Sequence, residues 1–151
     1  LKRKMREDGI LLGGEVSGHM FFAENWYGVD DGILASCKFL ELVARESKPV
    51  SAHFDSLPHL FATPELKAAC PDDKKFAVVA ALQRDFTQRY ETVDIDGVRV
   101  IFPDGWGLVR ASNTNPYLTL RFEATSRPAL EAMQKTVYDA LRRYPEVTLP
   151  A

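Results

Sequence analysis

Residues 91–124 read ETVDIDGVRVIFPDGWGLVRASNTNPYLTLRFEA, and this stretch decides the fold of the second half of the chain. Apolar and polar residues alternate on both sides of Asp96-Gly97, a dipeptide typical of a two-residue β-hairpin turn. Another turn signal lies at 103–105, and residues 118–123 alternate again. Because successive side chains of a strand point to opposite faces, the stretch predicts antiparallel strands with one buried face.

Helical spacing of apolar residues flanks these strands on both sides. A helix begins near Ser126, with Pro128 in its first turn. Before the strands, five residues mark a helix of about four turns: Phe76, Val79, Leu82, Phe86 and Tyr90. A helix, three or four antiparallel strands and a second helix predict an α+β fold with both helices on one face of the sheet.

The first half of the chain carries weaker patterns. A short helix at 2–8 is closed by Gly9, and two short apolar strands flank the glycine-rich segment 13–18. A second helix opens after Asp30-Asp31-Gly32. Its predicted buried face consists of Ile33, Cys37, Leu40 and Ala44.

A proline-containing stretch between Ser47 and Pro71 interrupts the helix and strand patterns. Such a stretch is typical of a connection between compact units. We place the boundary near residue 58, which predicts one unit at 1–58 and another at 59–151.

Composition limits the class of protein to which the chain can belong. Its 19 Lys and Arg against 21 Asp and Glu give a net charge of −2, whereas proteins that hold nucleic acid carry a basic surplus. No apolar run reaches the roughly 18 residues of a membrane span, and the first residues lack the apolar stretch of a signal peptide. Cys37 and Cys70 lie in apolar surroundings that suit buried free thiols in a reducing compartment. We expect a cytoplasmic, monomeric protein without a nucleic-acid or membrane partner.

The loop that follows the Trp106–Arg110 strand has the composition of an anion site. Arg110 supplies a planar fork of donors, and Ser112, Asn113 and Thr114 add hydroxyl and amide groups. Backbone N–H groups of a tight turn would add further donors. The alternative is a polar β-turn that follows an arginine by chance.

The glycine-rich segment 13–18 has the opposite chemistry. The Glu15 carboxylate can accept hydrogen bonds from two adjacent hydroxyls, and Ser17 can donate or accept beside it. Neighbouring hydroxyls of a sugar need such partners. The alternative is a glycine-rich hairpin whose glutamate faces water. Together the two loops indicate a ligand with hydroxyls at one end and a phosphate at the other.

Both motifs resemble those of one enzyme family, the α-D-phosphohexomutases. The first is GGEVSGH at 13–19 followed by DDGI at 30–33, and the second is DGVRV at 96–100 followed by DGWGLVRASNT at 104–114. The resemblance covers nearly the whole chain. It implies the last part of an α/β third domain followed by a complete fourth domain with a TATA-binding-protein-like fold, an antiparallel sheet with two helices on one face.

The resemblance also implies a function. Family members move a phosphoryl group between the 1- and 6-positions of a hexose through a phosphoserine, a bisphosphorylated sugar and Mg²⁺. By similarity, Glu15 and Ser17 would hold sugar hydroxyls. The phosphate that is not transferred would be held by Arg110, Ser112, Asn113 and Thr114. The family's phosphoserine loop and its Mg²⁺ loop do not occur in these residues, so we expect no catalytic residue and no metal ligand here, and weak binding without catalysis.

Asn113 indicates which subfamily of these enzymes the chain resembles. Phosphoglucosamine mutases and the longer phosphoglucomutases commonly carry glycine at that position. Arg-Ala-Ser-Asn-Thr therefore resembles the bacterial phosphomannomutase/phosphoglucomutase type, which acts on mannose and glucose phosphates. The alternatives are a phosphoglucosamine or acetylglucosamine-phosphate mutase fragment, and a non-catalytic binding module.

Neither Ser17 nor Ser112 is predicted to be a nucleophile, because no recognisable motif places a histidine and an acid beside either serine. Two nearby residues are interpreted as structural. His19 is predicted to bond the loop backbone, and Trp106 to be a core residue that shapes the phosphate loop. The alternative for Trp106 is stacking on a sugar.

Overall fold

The computed structural model describes residues 1–15 and 17–150. It divides the chain into two compact units, residues 1–57 and residues 58–151. Within the described residues, no helix combines the length and the apolar character needed to cross a membrane.

The first unit contains two helices and a two-stranded antiparallel sheet. Its helices are α1 (Lys2–Asp8) and α2 (Gly32–Arg45), and its strands are β1 (Leu12–Gly14) and β2 (Met20–Phe22). Gly9 ends α1 in the left-handed region, with φ 64°. Asp31 caps α2 by accepting a hydrogen bond from the backbone N–H of Leu34.

The apolar face of α2 is exposed, which corrects the sequence-based prediction. Ile33 is 81% exposed and Leu40 65% exposed. Cys37 is also exposed, and no residue of this helix is buried. Within the described residues of the first unit, nothing packs over this face. The periodicity therefore identified the helix correctly but could not show whether a partner covers it.

The second unit is built on an antiparallel sheet of six strands. They are β3 (Phe61–Ala62), β4 (Leu66–Ala69), β5 (Glu91–Val93), β6 (Val98–Phe102), β7 (Gly105–Ala111) and β8 (Tyr117–Ala124). The order is β3-β8-β7-β6-β5. Strand β4 also pairs directly with β8, at residues 117–120, whereas β3 pairs with residues 123–124. The two strands β3 and β4 were not predicted, because they are short and lie within the proline-containing stretch.

The turn at Asp96-Gly97 is present but wider than predicted. Val93 pairs with Arg99, so residues 94–98 lie between the two paired positions. Gly97 has φ 85°, and a Cβ atom there would lie 2.3 Å from the carbonyl oxygen of Val109. Glycine is thus required at this position by both conformation and space.

Both remaining helices pack on one face of this sheet, which confirms the predicted α+β fold. They are α3 (Lys75–Thr87) and α4 (Arg127–Leu141), and Ser126 caps α4 as predicted. One core cluster joins residues of both helices to alternate residues of the strands. Its largest fully buried side chains are Phe86, Phe122, Leu82, Leu118, Leu120 and Leu141. Cys70 is also buried in this cluster, as predicted.

The opposite face of the sheet is open and carries polar and aromatic side chains. Trp106 lies on this face and not in the core, which corrects the prediction made for it. Its indole N–H donates to Glu123 at 3.1 Å, and the Arg99 guanidinium lies 4.4 Å from its ring centroid. The reason is strand parity, because Trp106 is an odd number of residues from the buried Val109.

An ion-pair network joins α3 to the segment that follows α4. The Asp85 carboxylate accepts from Arg89, just past the end of α3, and from Arg143, which lies 58 residues away. Hydrogen bonding to the Arg143 guanidinium holds the pKa of Asp85 below its ordinary value. A carboxyl whose pKa is lowered by folding stabilises the folded state above its unfolded pKa.

Asp85→Asn should lower the free energy of unfolding by about 1 kcal/mol at pH 7, the upper part of the range for partly exposed ion pairs. The difference from wild type should shrink as the pH falls below 3.8, the ordinary value, and vanish below the lowered pKa of Asp85. Urea unfolding at a series of pH values measures this. Asp139→Asn is the control and should show a smaller effect, since Asp139 pairs with Lys135 and Arg142, which lie within four residues of it in sequence. A deficit for Asp85→Asn that does not change with pH would contradict the assignment.

Candidate functional site

The loop between β7 and β8 gathers the four predicted phosphate-binding residues. Arg110 is the second-last residue of β7, and Ser112, Asn113 and Thr114 follow directly. Asn113 and Thr114 are exposed, Arg110 is half-buried and Ser112 is buried. A strand end and a tight turn therefore bring them together on one short segment.

Ser112 organises this loop from within. Its Oγ accepts the backbone N–H of Thr114 at 3.4 Å and of Asn115 at 3.2 Å, and its own N–H donates to the carbonyl of Tyr117 at 3.1 Å. The two amides that bond Ser112 are turned towards that side chain. The Ser112 hydroxyl hydrogen is still available to donate, because these bonds use only its oxygen.

Arg110 is held by the neighbouring hairpin turn. Its Nη1 donates to the Asp96 carboxylate at 3.2 Å, and both side chains are partly exposed. Gly97 allows the turn to lie against the end of β7, which places Asp96 beside the guanidinium. One contact leaves most of the five N–H donors of the guanidinium free for an anion.

A shallow cavity of about 200 Å³ adjoins the loop. Asn113 and Asp96 form part of its wall, together with Gln83 and Asp94, whose side chains hydrogen-bond at 2.8 Å. The cavity lies on the α3 side of the loop, and Asn113 is the predicted phosphate-binding residue that lines it.

Arg121 is a cation near this loop that the sequence reasoning missed. It lies opposite Leu108 in the pairing of β7 and β8, on the open face that also carries Arg110. It is half-buried and makes no hydrogen bond or ion pair with any residue that the structure describes. Strand parity would have identified it, because both arginines alternate with core residues.

The second predicted cluster lies at the β1–β2 turn of the first unit. The Ser17 hydroxyl can donate to the Glu15 carboxylate at 3.3 Å and lies 2.6 Å from Nδ1 of His19. Backbone bonds from Glu15 to His19 and from Gly18 to Glu15, both 2.9 Å, close the turn. Val16, which belongs to the sequence motif, lies outside the described residues.

His19 contradicts two interpretations of this loop. Its ring bonds the side chain of Ser17, whereas the sequence predicted a bond to backbone. Its Nε2 lies 3.6 Å from the Asp30 carboxylate, so a histidine and an acid do stand near Ser17. All these side chains are about half exposed, and 3.6 Å exceeds a normal hydrogen bond. The arrangement orients the serine hydroxyl in an open loop.

A resident metal ion does not fit these residues. Among the described residues, no three His, Cys, Asp or Glu side chains are grouped in a way that could hold a metal. One or two carboxylates, with waters and substrate phosphates, are the usual ligands of Mg²⁺. The carboxylates of Asp94 and Asp96 already accept from Gln83 and Arg110.

Ser112→Ala should destabilise the second unit by about 1 kcal/mol, since two backbone N–H groups lose their acceptor. Amide hydrogen exchange at Thr114 and Asn115 should become faster. Thr114→Ala removes an exposed hydroxyl of the same loop, which accepts from the Asn115 side chain at 2.8 Å in contact with water, and should change stability by less than about 0.5 kcal/mol. Urea unfolding and amide exchange measure both. Equal effects of the two substitutions would show that Ser112 does not organise the loop.

Comparison with known proteins places both loops in one family. The family model "Phosphoglucomutase/phosphomannomutase, alpha/beta/alpha domain III" matches residues 1–61, and "Phosphoglucomutase/phosphomannomutase, C-terminal domain" matches residues 65–140. A phosphomannomutase/phosphoglucomutase of Pseudomonas aeruginosa is 44% identical over 99% of this chain and 32% of its own length. A phosphoglucomutase of Neisseria gonorrhoeae is 40% identical over 99% of this chain and 33% of its own.

A solved structure agrees with these relatives. The crystal structure of a phosphoglucomutase/phosphomannomutase family protein from Burkholderia thailandensis matches with a TM-score of 0.84 and 43% identity, over 99% of this chain and 32% of that one. The chain therefore spans about a third of the length of the relatives it matches. Because the two family models together match residues 1–61 and 65–140, this chain belongs to the phosphoglucomutase/phosphomannomutase family.

Proposed function

We propose that this chain supplies substrate binding to a phosphohexomutase that interconverts hexose 1-phosphate and hexose 6-phosphate. The observation that carries the proposal is the organised loop after β7. It joins a half-buried arginine, a buried serine hydroxyl and two exposed polar side chains on one tight turn. Names of the relatives, which include phosphomannomutase/phosphoglucomutase and phosphoglucomutase, support the substrate class.

The loop binds a phosphate group in this proposal. The free N–H groups of Arg110 pair with phosphate oxygens, as a guanidinium fork does with tetrahedral anions. The Ser112 hydroxyl hydrogen, the Asn113 side-chain amide and the Thr114 hydroxyl add neutral donors. The backbone N–H of Asn113 makes no hydrogen bond within the described residues and is one more donor. Arg121 adds positive charge on the same sheet face.

The β1–β2 turn binds sugar hydroxyls in this proposal. The Glu15 carboxylate has lone pairs for two neighbouring hydroxyls, and the Ser17 hydroxyl makes a third polar contact. His19, bonded to Ser17, fixes the direction of that hydroxyl. Such contacts suit a sugar whose two ends must each be presented in turn to the same phosphoryl donor.

The reaction needs groups beyond these residues. A phosphoserine would donate a phosphoryl group to the sugar and regain one from the bisphosphorylated intermediate. We propose that this serine and the ligands of Mg²⁺ belong to sequence outside these 151 residues, because the matched relatives are about three times as long. Binding of the phosphate that is not transferred is the part of the cycle assigned to the β7–β8 loop.

Both mannose and glucose phosphates are the proposed substrates. By the family resemblance, Asn113 occupies a position where phosphoglucosamine mutases commonly carry glycine. A probable phosphoglucosamine mutase of Methanopyrus kandleri is 32% identical over 92% of this chain, against 44% for the phosphomannomutase/phosphoglucomutase of Pseudomonas aeruginosa. The unpaired cysteines Cys37 and Cys70 support a reducing, cytoplasmic location for the enzyme.

Titration of the ¹⁵N-labelled chain with glucose 1-phosphate tests the phosphate site. Amide shifts should cluster at residues 110–115. Arg110→Ala should weaken binding by about tenfold to a hundredfold, the value of one or two charge-assisted hydrogen bonds. Arg99→Ala is the matched control, because Arg99 stacks on Trp106 of the same face and lies outside the loop. It should change the affinity by less than about twofold.

Two results would contradict this assignment. Shifts in Arg110→Ala equal to those of wild type would exclude the loop as the phosphate site. Binding of an oligonucleotide in preference to the phosphosugar, with a steep loss of affinity at higher salt, would favour a nucleic-acid-binding module instead.

The 151-residue chain should not convert glucose 1-phosphate to glucose 6-phosphate, with or without Mg²⁺. The reason is that none of its described residues is assigned as the phosphoryl donor of the reaction. A coupled assay for glucose 6-phosphate measures this. Because a histidine stands near Ser17, the assay should include Ser17→Ala. Turnover by wild type that Ser17→Ala abolishes would overturn both the expectation and the assignment of Ser17 to binding.

A further inference from the structure

Lys75 occupies a position that is unfavourable for a lysine. It is the first residue of α3, where the positive end of the helix dipole disfavours a cation. Its side chain is only 4% exposed, although lysine is seldom buried unless it is paired. The buried ammonium group therefore depends on the contacts that it makes there.

Those contacts connect α3 to the phosphate loop. Nζ of Lys75 donates to the Asp72 carboxylate at 2.6 Å and to the backbone carbonyl of Asn115 at 3.0 Å. It also lies 5.3 Å from the ring centroid of Phe76. Asp72 is 68% exposed, so water screens its charge, whereas the bond to Asn115 is part-buried and spans 40 residues of sequence.

The Asn115 carbonyl is a fixed point of the loop. It accepts from Lys75 and also from the backbone N–H of Tyr117 at 2.9 Å, which uses both of its lone pairs. The next carbonyl, of Pro116, accepts the N–H of Cys70 at 3.0 Å. Residues 70–75 thus hold the second half of the loop, while Ser112 holds the first half.

We propose that Lys75 is a positioning residue for phosphate binding. By fixing the Asn115 carbonyl, its ammonium group keeps the loop in the conformation that presents Asn113 and Thr114 to the anion, before any ligand arrives. The proposal rests on the proposed phosphate site. A preorganised loop loses less conformational entropy when it binds, so removal of Lys75 weakens binding without removing a ligand contact.

Lys75→Met tests this, since methionine keeps much of the length and apolar stem but cannot donate. Glucose 1-phosphate should bind about tenfold more weakly, which corresponds to the loss of the one hydrogen bond that orders the loop. Without ligand, amide exchange at Asn115 should become about tenfold faster. Asp72→Asn removes the charged partner but keeps the bond to Asn115, and should change the affinity by less than about twofold. Leu82→Val, on the buried face of the same helix, controls for general loss of stability.

The outcomes separate this inference from the proposed function. If Arg110→Ala weakens binding while Lys75→Met changes neither the affinity nor the amide exchange, the role of Lys75 is overturned and the phosphate site stands. Arg110→Ala that binds as wild type does would remove the phosphate site and this inference with it. Loss of affinity in Leu82→Val equal to that in Lys75→Met would show that Lys75 acts through stability only.

A spectroscopic measurement on wild type covers the case in which Lys75→Met does not fold. The buried ammonium should give its own ¹H–¹⁵N signal, with a scalar coupling to the Asn115 carbonyl carbon. The coupling should be present without glucose 1-phosphate and should persist unchanged through the titration, because the bond precedes the ligand. A coupling that is absent from the free chain, or that disappears as the loop amides titrate, would overturn the proposal.

Discussion

The two-residue period of the central strands is the constraint on which the second unit depends. Core residues such as Val109 and Phe122 face α3 and α4, so their neighbours along each strand must face the other way. Arg110, Arg121 and Trp106 therefore lie on the open face of the sheet. The packing that stabilises this unit also determines where its positive charge is displayed, and a shift of register by one residue would bury the arginines.

The β7–β8 loop obeys a different rule, because it has no strand pairing to hold it. Ser112 supplies a side-chain oxygen to two backbone N–H groups, and Lys75 supplies an ammonium group to a backbone carbonyl. The residues that maintain the loop are thus largely buried, and those that remain exposed, Asn113 and Thr114, are free to meet a ligand. Support and recognition are divided between different side chains of one short segment.

The first unit shows the limit of reasoning from periodicity. Its helix α2 has the apolar face that the spacing predicted, but Ile33 and Leu40 on that face are exposed. Amphipathic spacing indicates that a helix has an apolar face, but the spacing does not identify which element covers that face. Trp106 shows the same limit in a strand. Its apolar ring led to a predicted core position, whereas the alternation of side chains along the strand places it on the open face.

The sequence by itself determined the α+β class, the two helices on one face of an antiparallel sheet and the residues of both candidate loops. These follow from local rules, namely period, turn chemistry and the donors that each side chain carries. Tertiary structure alone decided that Asp96 holds Arg110 and that Lys75 bonds Asn115. The contact of Lys75 joins positions 40 residues apart, and that of Asp96 depends on strand register. No local pattern encodes such contacts, because they arise only when the chain packs.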